Sequence, residues 1–192
     1  MNFHREFSRY GKMLFQQGLI SASAGNLSCR KRDKMYITAS GSFLGELDYG
    51  EVVEVSLSGA REYLSFAQEL RRPSVEAEVH KSIYLNTPRL AIAHGHAPYA
   101  LALAASIDNI VFTDAEGQLH LPSLPVLELK DPIGSSEAAE RLPKYFTSPG
   151  AVVIRNHGVF AAADTLKAAV SLLSTAEFSS KIICLAKDFK RD

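Results

Sequence analysis

Apolar residues are spaced along the chain in patterns typical of both helices and strands. Near the amino terminus, large apolar side chains recur every three or four residues at Phe3, Phe7 and Tyr10. Gly18 follows them, so residues 3–17 are predicted to form an amphipathic helix that ends at a glycine. Further helices are predicted over residues 75–86, 99–105, 135–145 and 165–188.

Short apolar runs bounded by turn residues indicate the strands. The clearest is 151–154, and the run 90–96 lies between two prolines. Other strand candidates are residues 35–38, 52–55, 110–112 and 124–127. Turns at 31–34 and 114–117 predict hairpins, and therefore a sheet that is mixed or largely antiparallel. Strands interleaved with helices predict an α/β fold with a central sheet flanked by helices.

Length and charge narrow the classes of function. A chain of 192 residues with 46% hydrophobic residues can bury one sizeable core, so a single domain over residues 1–192 is expected. Lys plus Arg and Asp plus Glu both total 21, so no broad basic surface is expected to bind nucleic acid or an anionic membrane. The amino-terminal segment has no continuous apolar run, which favours a cytoplasmic location. Cys29 and Cys184 form no CxxC pair and are interpreted as free thiols.

Three histidines are the strongest candidates for chemistry. Because side chains alternate along a strand, His94 and His96 project to the same side of the predicted strand, separated only by Gly95. Two histidines at this spacing are explained equally well as ordinary polar residues or as metal ligands. His157 follows the clearest strand, and the ends of neighbouring strands bring side chains together. Three imidazole ligands with an open fourth position suit a catalytic zinc or a similar divalent ion.

Glu76 is the candidate acid or base. It lies near the start of the predicted helix that precedes the HxH pair, where Ser74 can act as the helix cap. A plain charge at a helix start explains Glu76 equally well, and Glu78 is a nearby carboxylate of the same kind. His80, one helical turn after Glu76, is predicted to orient Glu76 or a backbone group and not to bind metal.

Two small-residue loops and one helix start are candidates for binding an anion. The residues concerned are Gly25, Asn26, Ser40, Gly41 and Ser74. Backbone amides and hydroxyl groups in such segments bind phosphate in many proteins. Glycine and serine are also common in loops simply because turns require them, so each segment alone is weak support.

Taken in order, these motifs resemble those of the class II aldolase/adducin family. The matching segments are GNLSCR at 25–30, TASG at 38–41, SVE at 74–76 with the later His80, HGHAPY at 94–99 and NHG at 156–158. The resemblance spans nearly the whole chain and is greatest to the branch that contains L-fuculose 1-phosphate aldolases.

The resemblance implies a site and a reaction. It makes His94, His96 and His157 the ligands of Zn²⁺, with Mn²⁺ or Co²⁺ as other candidates, and Glu76 the acid/base. Gly25, Asn26, Ser40, Gly41 and Ser74 then hold phosphate. The implied reaction is cleavage of a small, fuculose 1-phosphate-like ketose phosphate to dihydroxyacetone phosphate and an aldehyde through a metal-stabilised ene-diolate. Members of the family are homo-oligomers, typically homotetramers.

The resemblance also leaves other activities open. A dehydratase acting on methylthioribulose 1-phosphate or an epimerase acting on ribulose 5-phosphate would use the same metal site. An adducin-like interaction domain would keep the fold without catalysis, although the complete histidine set and Glu76 argue against it. The chain departs from the aldolase pattern in having no tyrosine between Tyr99 and Tyr145 or after Tyr145, and in having Val75 where a second serine is expected.

Overall fold

The protein is described by a computed structural model over residues 3–58 and 71–188. Six α-helices in this part of the chain are α1 Phe3–Gln16, α2 Ala77–Asn86, α3 Pro98–Ala104, α4 Ala115–His120, α5 Ser136–Arg141 and α6 Leu166–Asp188. The eight strands are β1 Asn26–Lys31, β2 Lys34–Thr38, β3 Val52–Ser56, β4 Ala91–Gly95, β5 Asn109–Val111, β6 Ser123–Leu127, β7 Gly150–Ile154 and β8 Gly158–Ala163.

The strands form one mixed sheet in the order β3-β2-β1-β4-β8-β7-β6-β5. Every pair is antiparallel except β6 with β7, which is parallel. Both the α/β class and the mixed, largely antiparallel sheet expected from the sequence are confirmed. The sheet therefore places β4 and β8 at its centre, next to each other.

Helices cover both faces of the sheet. Helices α1, α3, α4 and α6 lie on one face, and α2 and α5 lie on the other. Alternation along β4 divides its residues between the two cores, so that Ala91 and Ala93 face the α6 side while Ile92 faces α2. His94 shares the α2 side with Ile92, and this side carries the candidate site.

Helix α6 is the longest element. Its segment Leu166–Lys187 is long and apolar enough to cross a membrane by length and composition alone. It packs against α3, β4 and β8, with Ala169, Leu173 and Ala176 fully buried. This is the arrangement of a core helix.

Several predicted boundaries were wrong for identifiable reasons. The turn predicted at 114–117 begins helix α4, because the Asp114 carboxylate accepts a hydrogen bond from the Gly117 amide as a helix cap. The helix predicted over 135–145 is α-helical only to Arg141 and continues as a 3-10 turn that contains Pro143, whose ring has no N–H to donate. β8, with the sequence GVFAAA, was not predicted because alanine has little strand preference.

Candidate metal and acid/base site

The three candidate histidines converge on one point at the end of the central strands. Their nitrogen ligand atoms all lie within 4.8 Å of one another. His94 is the fourth residue of β4, and His96 lies just past the end of this strand instead of inside it as predicted. His157 lies in the tight turn between β7 and β8, where Asn156 adopts a left-handed backbone (φ 61°). The register pairs His94 with Phe160, so the β7–β8 turn lies beside the end of β4.

The protonation of these histidines fits metal binding. Burial lowers the pKa of His94 well below its ordinary value, and the neighbouring His157 and His96 lower it further. Burial, and then His96, lowers the pKa of His157 to about 4, and burial also lowers the pKa of His96. All three rings are therefore neutral at pH 7, the form that binds a metal ion. His94 Nδ1 donates to the Val159 carbonyl at 3.1 Å, which leaves its Nε2 lone pair free.

Glu76 lies beside the histidines. It is the residue immediately before α2 and is only 2% exposed. One carboxylate oxygen, Oε2, accepts a hydrogen bond from the Gly134 amide at 3.1 Å. The other, Oε1, lies 3.5 Å from His157 Nε2 and has no hydrogen-bond partner among the described residues. Glu78 is exposed, so burial distinguishes two carboxylates that only the family resemblance had separated.

The pKa of Glu76 is raised to about 7: burial raises it, the Gly134 hydrogen bond opposes the rise, and the nearby Asp131 adds to it. Because the His157 ring is neutral at pH 7, its contact with Glu76 is not an ion pair. A carboxyl group whose pKa is near neutrality can both accept and donate a proton under physiological conditions. The structure thus supplies a group suited to acid/base chemistry next to three nitrogens that could hold a metal ion.

This pKa shift gives a testable pH dependence for the metal-free protein. The folded state keeps a proton on Glu76 that the unfolded state releases, so the stabilisation is complete below pH 4.5 and is lost as the pH rises through about 7. The low pKa of His157 changes stability in the opposite direction, so the wild type is compared with Glu76→Gln, which keeps His157. The stability of Glu76→Gln relative to wild type, measured by urea unfolding, should therefore increase between pH 4.5 and pH 7. A difference that does not vary with pH would contradict the shift.

The phosphate-loop candidates line the same cavity. The cavity has a volume of about 190 Å³ and is lined by Ser23, Ala24, Gly25, Asn26, Ala39, Ser40, Gly41, Ser74, Val75, Glu76, His94, His96, Ile133 and His157. Asn26 lies opposite His94 in the β1–β4 register, and its buried Oδ1 has no hydrogen-bond partner in the part of the chain that the structure describes. Ser74 is not the helix cap that was predicted, since α2 begins at Ala77 and the Ser74 hydroxyl accepts from the Glu76 amide at 3.3 Å.

Gly25 is required by the approach of its backbone to the site. Its φ is +80°, and a Cβ there would lie 2.5 Å from Ile20 Cγ2 and 2.8 Å from the His94 carbonyl oxygen. Gly18 has a similar φ of +71° with no atom within 4 Å of the same position.

Gly18→Ala should therefore lose about 1–2 kcal/mol of unfolding free energy from backbone strain alone. Gly25→Ala should lose a further ~1–3 kcal/mol from the clash. Equal losses in urea unfolding would contradict this assignment.

The segment between β6 and α5 also forms part of the site, and the sequence analysis missed it. Gly134 donates to Glu76, the Pro132 backbone raises the pKa of His157, and Ile133 lines the cavity. The only local signal was the turn-forming sequence Asp-Pro-Ile-Gly at 131–134. That signal predicts a turn but does not show which distant side chains the turn contacts.

Residues 5–184 match the family model for the class II aldolase and adducin N-terminal domain. The chain belongs to the class II aldolase family. The expected family membership is confirmed, and the chain is an enzyme of this superfamily.

Relatives within the class II aldolase family carry different activities. The chain is 33% identical to a 3-oxo-tetronate 4-phosphate decarboxylase of Pectobacterium atrosepticum, over 96% of this chain and 85% of that protein. It is 31% identical to a methylthioribulose-1-phosphate dehydratase of Acidiphilium cryptum, over 94% and 89%. The crystal structure of an L-fuculose-1-phosphate aldolase from Thermus thermophilus superposes with a TM-score of 0.90 at 32% identity, over 97% and 95%.

Proposed function

We propose that this protein is a metal-dependent lyase that breaks a carbon–carbon bond beside the carbonyl group of a small phosphorylated sugar. The observation that carries the proposal is the convergence of three neutral imidazoles and the buried Glu76 carboxyl group in one cavity. His94, His96 and His157 would hold the ion, and Zn²⁺ fits three imidazole ligands best, ahead of Mn²⁺ or Co²⁺. When bound, the ion supplies a Lewis acid that stabilises negative charge developing on the carbonyl oxygen.

Glu76 would supply the proton that completes the cleavage. Cleavage leaves an electron pair on the carbon next to the carbonyl group, and the Glu76 carboxyl group would deliver a proton there. The Gly134 amide holds one carboxylate oxygen while the other faces His157, so the group is oriented toward the metal-binding nitrogens before substrate arrives.

The loops at 25–26 and 40–41, together with Ser74, would bind the phosphate group. The described residues of the cavity lining include no lysine or arginine, so recognition would depend on amide and hydroxyl donors. The Ser40 amide already donates to the Arg72 carbonyl at 2.8 Å, which leaves the Ser40 hydroxyl as its free donor. Gly41, with φ +77° and open space around it, offers backbone that a phosphate can approach closely.

Retro-aldol cleavage of a ketose phosphate is the first candidate reaction. It is the reaction implied by the sequence motifs, and the solved fuculose-phosphate aldolase matches nearly the whole chain. This reaction must remove a proton from the hydroxyl oxygen that becomes the aldehyde, as well as deliver one to carbon. Glu76 is the only carboxylate in the described lining, which contains no tyrosine.

Decarboxylation of a 3-oxo sugar acid phosphate is the second candidate, and this lack of a second acid/base favours it. The carboxylate leaves as carbon dioxide, its bonding electrons remain on the carbon beside the carbonyl group, and one proton from Glu76 completes the product. No hydroxyl proton has to be removed. A relative at 33% identity carries this activity by name.

A substrate panel separates the two reactions. The zinc-loaded protein would be incubated with ketose 1-phosphates and with 3-oxo sugar acid 4-phosphates, and dihydroxyacetone phosphate, aldehyde and carbon dioxide would be measured. Release of an aldehyde identifies the aldolase, and release of carbon dioxide without aldehyde identifies the decarboxylase. Loss of water or inversion at a carbon, with no carbon–carbon cleavage of any compound, would overturn the proposal.

The expected homotetramer and cytoplasmic location remain part of this proposal. Light scattering of the purified protein would test the assembly.

A further inference from the structure

One face of α2 carries polar residues into the protein interior. Glu76, His80 and Tyr84 follow one another at four-residue spacing, which places them on the same side of the helix. Their exposed fractions are 2%, 0% and 0%. His80 and Tyr84, which follow Glu76 along α2, are therefore two fully buried polar side chains.

Both of these side chains hydrogen-bond to one serine of the sheet. The Ser28 hydroxyl on β1 lies 2.7 Å from His80 Nδ1 and 2.7 Å from the Tyr84 hydroxyl. Ser28 is itself fully buried. Arg30, two residues along the same strand, donates a hydrogen bond to the Tyr84 backbone carbonyl. Helix α2 is thus tied to β1 by directional contacts at two successive turns.

Ser28 also lies close to the metal-binding strand. It pairs with Ile92 of β4, and Asn26, two residues earlier on the same side of β1, pairs with His94. Phe160 lies on β8, which flanks β4 on the side opposite β1. Its ring stacks on His94 with centroids 4.1 Å apart and meets the His80 ring edge-on at a centroid distance of 5.8 Å. His80 is consequently connected to His94 through one aromatic ring.

Apolar packing alone would not fix α2 in this position. Val79 and Ile83 are fully buried in the core below α2, but burial of apolar surface is non-directional and tolerates rotation or sliding of a helix. Hydrogen bonds have strict distances and angles, and a buried polar group that loses its partner is destabilising. The Ser28 contacts therefore set the rotation of α2 and, with it, the position of Glu76.

We propose that Ser28, His80 and Tyr84 are positioning residues that fix Glu76 and His94 relative to each other. None of the three lines the cavity, so they act through α2 and Phe160 and not on the substrate. This inference rests on the proposed function, because it takes His94 as a metal ligand and Glu76 as the acid/base. Burial also lowers the pKa of His80 to about 3, so its ring stays neutral within this network at physiological pH.

Binding of Co²⁺ tests the role without requiring the substrate, because its visible absorption depends on ligand number and geometry. Ser28→Ala removes both hydrogen bonds and should weaken Co²⁺ binding about tenfold while altering the visible bands. Tyr84→Phe removes one hydroxyl, so it should change the Co²⁺ affinity and the visible bands in the same direction as Ser28→Ala but to a smaller extent. It also keeps the inference testable if Ser28→Ala does not fold.

Thr87→Val is the matched control. Thr87 is buried at the carboxyl end of α2, and its hydroxyl donates to the Ile83 carbonyl at 2.7 Å and not to Ser28, His80 or Tyr84. This variant should lower the unfolding midpoint yet keep the wild-type Co²⁺ affinity and spectrum. The positioning role would be overturned if Ser28→Ala and Tyr84→Phe kept the wild-type Co²⁺ affinity and spectrum, or if Thr87→Val changed them equally. Either result would leave the proposed metal site standing. Failure of the wild-type protein to bind Co²⁺ would overturn the metal site and the proposed function with it.

Discussion

His157→Ala is expected to bring bound divalent metal down to background and to abolish carbon–carbon cleavage. The three imidazoles lie within 4.8 Å of one another, and His157 alone comes from the β7–β8 turn. Two histidines from the β4 end would remain, which is too few ligands for a stable site. Since a Lewis acid contributes several kcal/mol to the reaction, the rate should fall by at least ~10³-fold.

The measurement is metal content after dialysis, together with cleavage of the best compound in the substrate panel. His120→Ala is the matched control, because His120 ends α4 and does not line the candidate cavity. It should keep wild-type metal content and rate. Full metal content in His157→Ala would show that the histidine cluster is not the binding site.

Glu76→Gln should separate catalysis from metal binding. Glutamine keeps the size of the side chain and a carbonyl oxygen for the Gly134 amide, but it cannot exchange a proton. Cleavage should therefore fall by ~10²–10⁴-fold, the range typical of removing a general acid or base, while metal content stays at the wild-type level.

Glu78→Gln provides the control for this experiment. Glu78 is two residues away in the first turn of α2, has the same charge and is exposed. Its replacement should leave the rate within about twofold, as expected of a surface substitution away from the site. Equal losses in the two variants would indicate a general effect of charge at the start of α2 and would remove Glu76 from the mechanism.

Parts of this site follow from the sequence because they depend on local geometry. His94 and His96 are two residues apart beside an extended strand, so their convergence follows from strand alternation. His157 was placed with them because it follows the clearest strand, but the sequence did not predict β8, whose pairing with β4 brings the β7–β8 turn to this point. The small residues of β8 fit closely under α6, which is a property of the packed fold and not of strand preference.

Other parts depend on long-range contacts that no local pattern encodes. Glu76 and Glu78 are equivalent in sequence, and only the start of α2 at Ala77 decides which carboxylate is buried. The hydrogen bond from Gly134 to Glu76 joins residues 58 positions apart. Ser28 and His80 are 52 positions apart, so their pairing likewise follows only from the packing of α2 on β1.

Crystals of the protein grown with Zn²⁺ test the central claim most directly. Anomalous difference maps recorded at the zinc edge should show one peak, about 2.0–2.1 Å from a nitrogen of each of His94, His96 and His157. A map without a peak at this point, or with the ion bound elsewhere while the three imidazoles remain unliganded, would contradict the account.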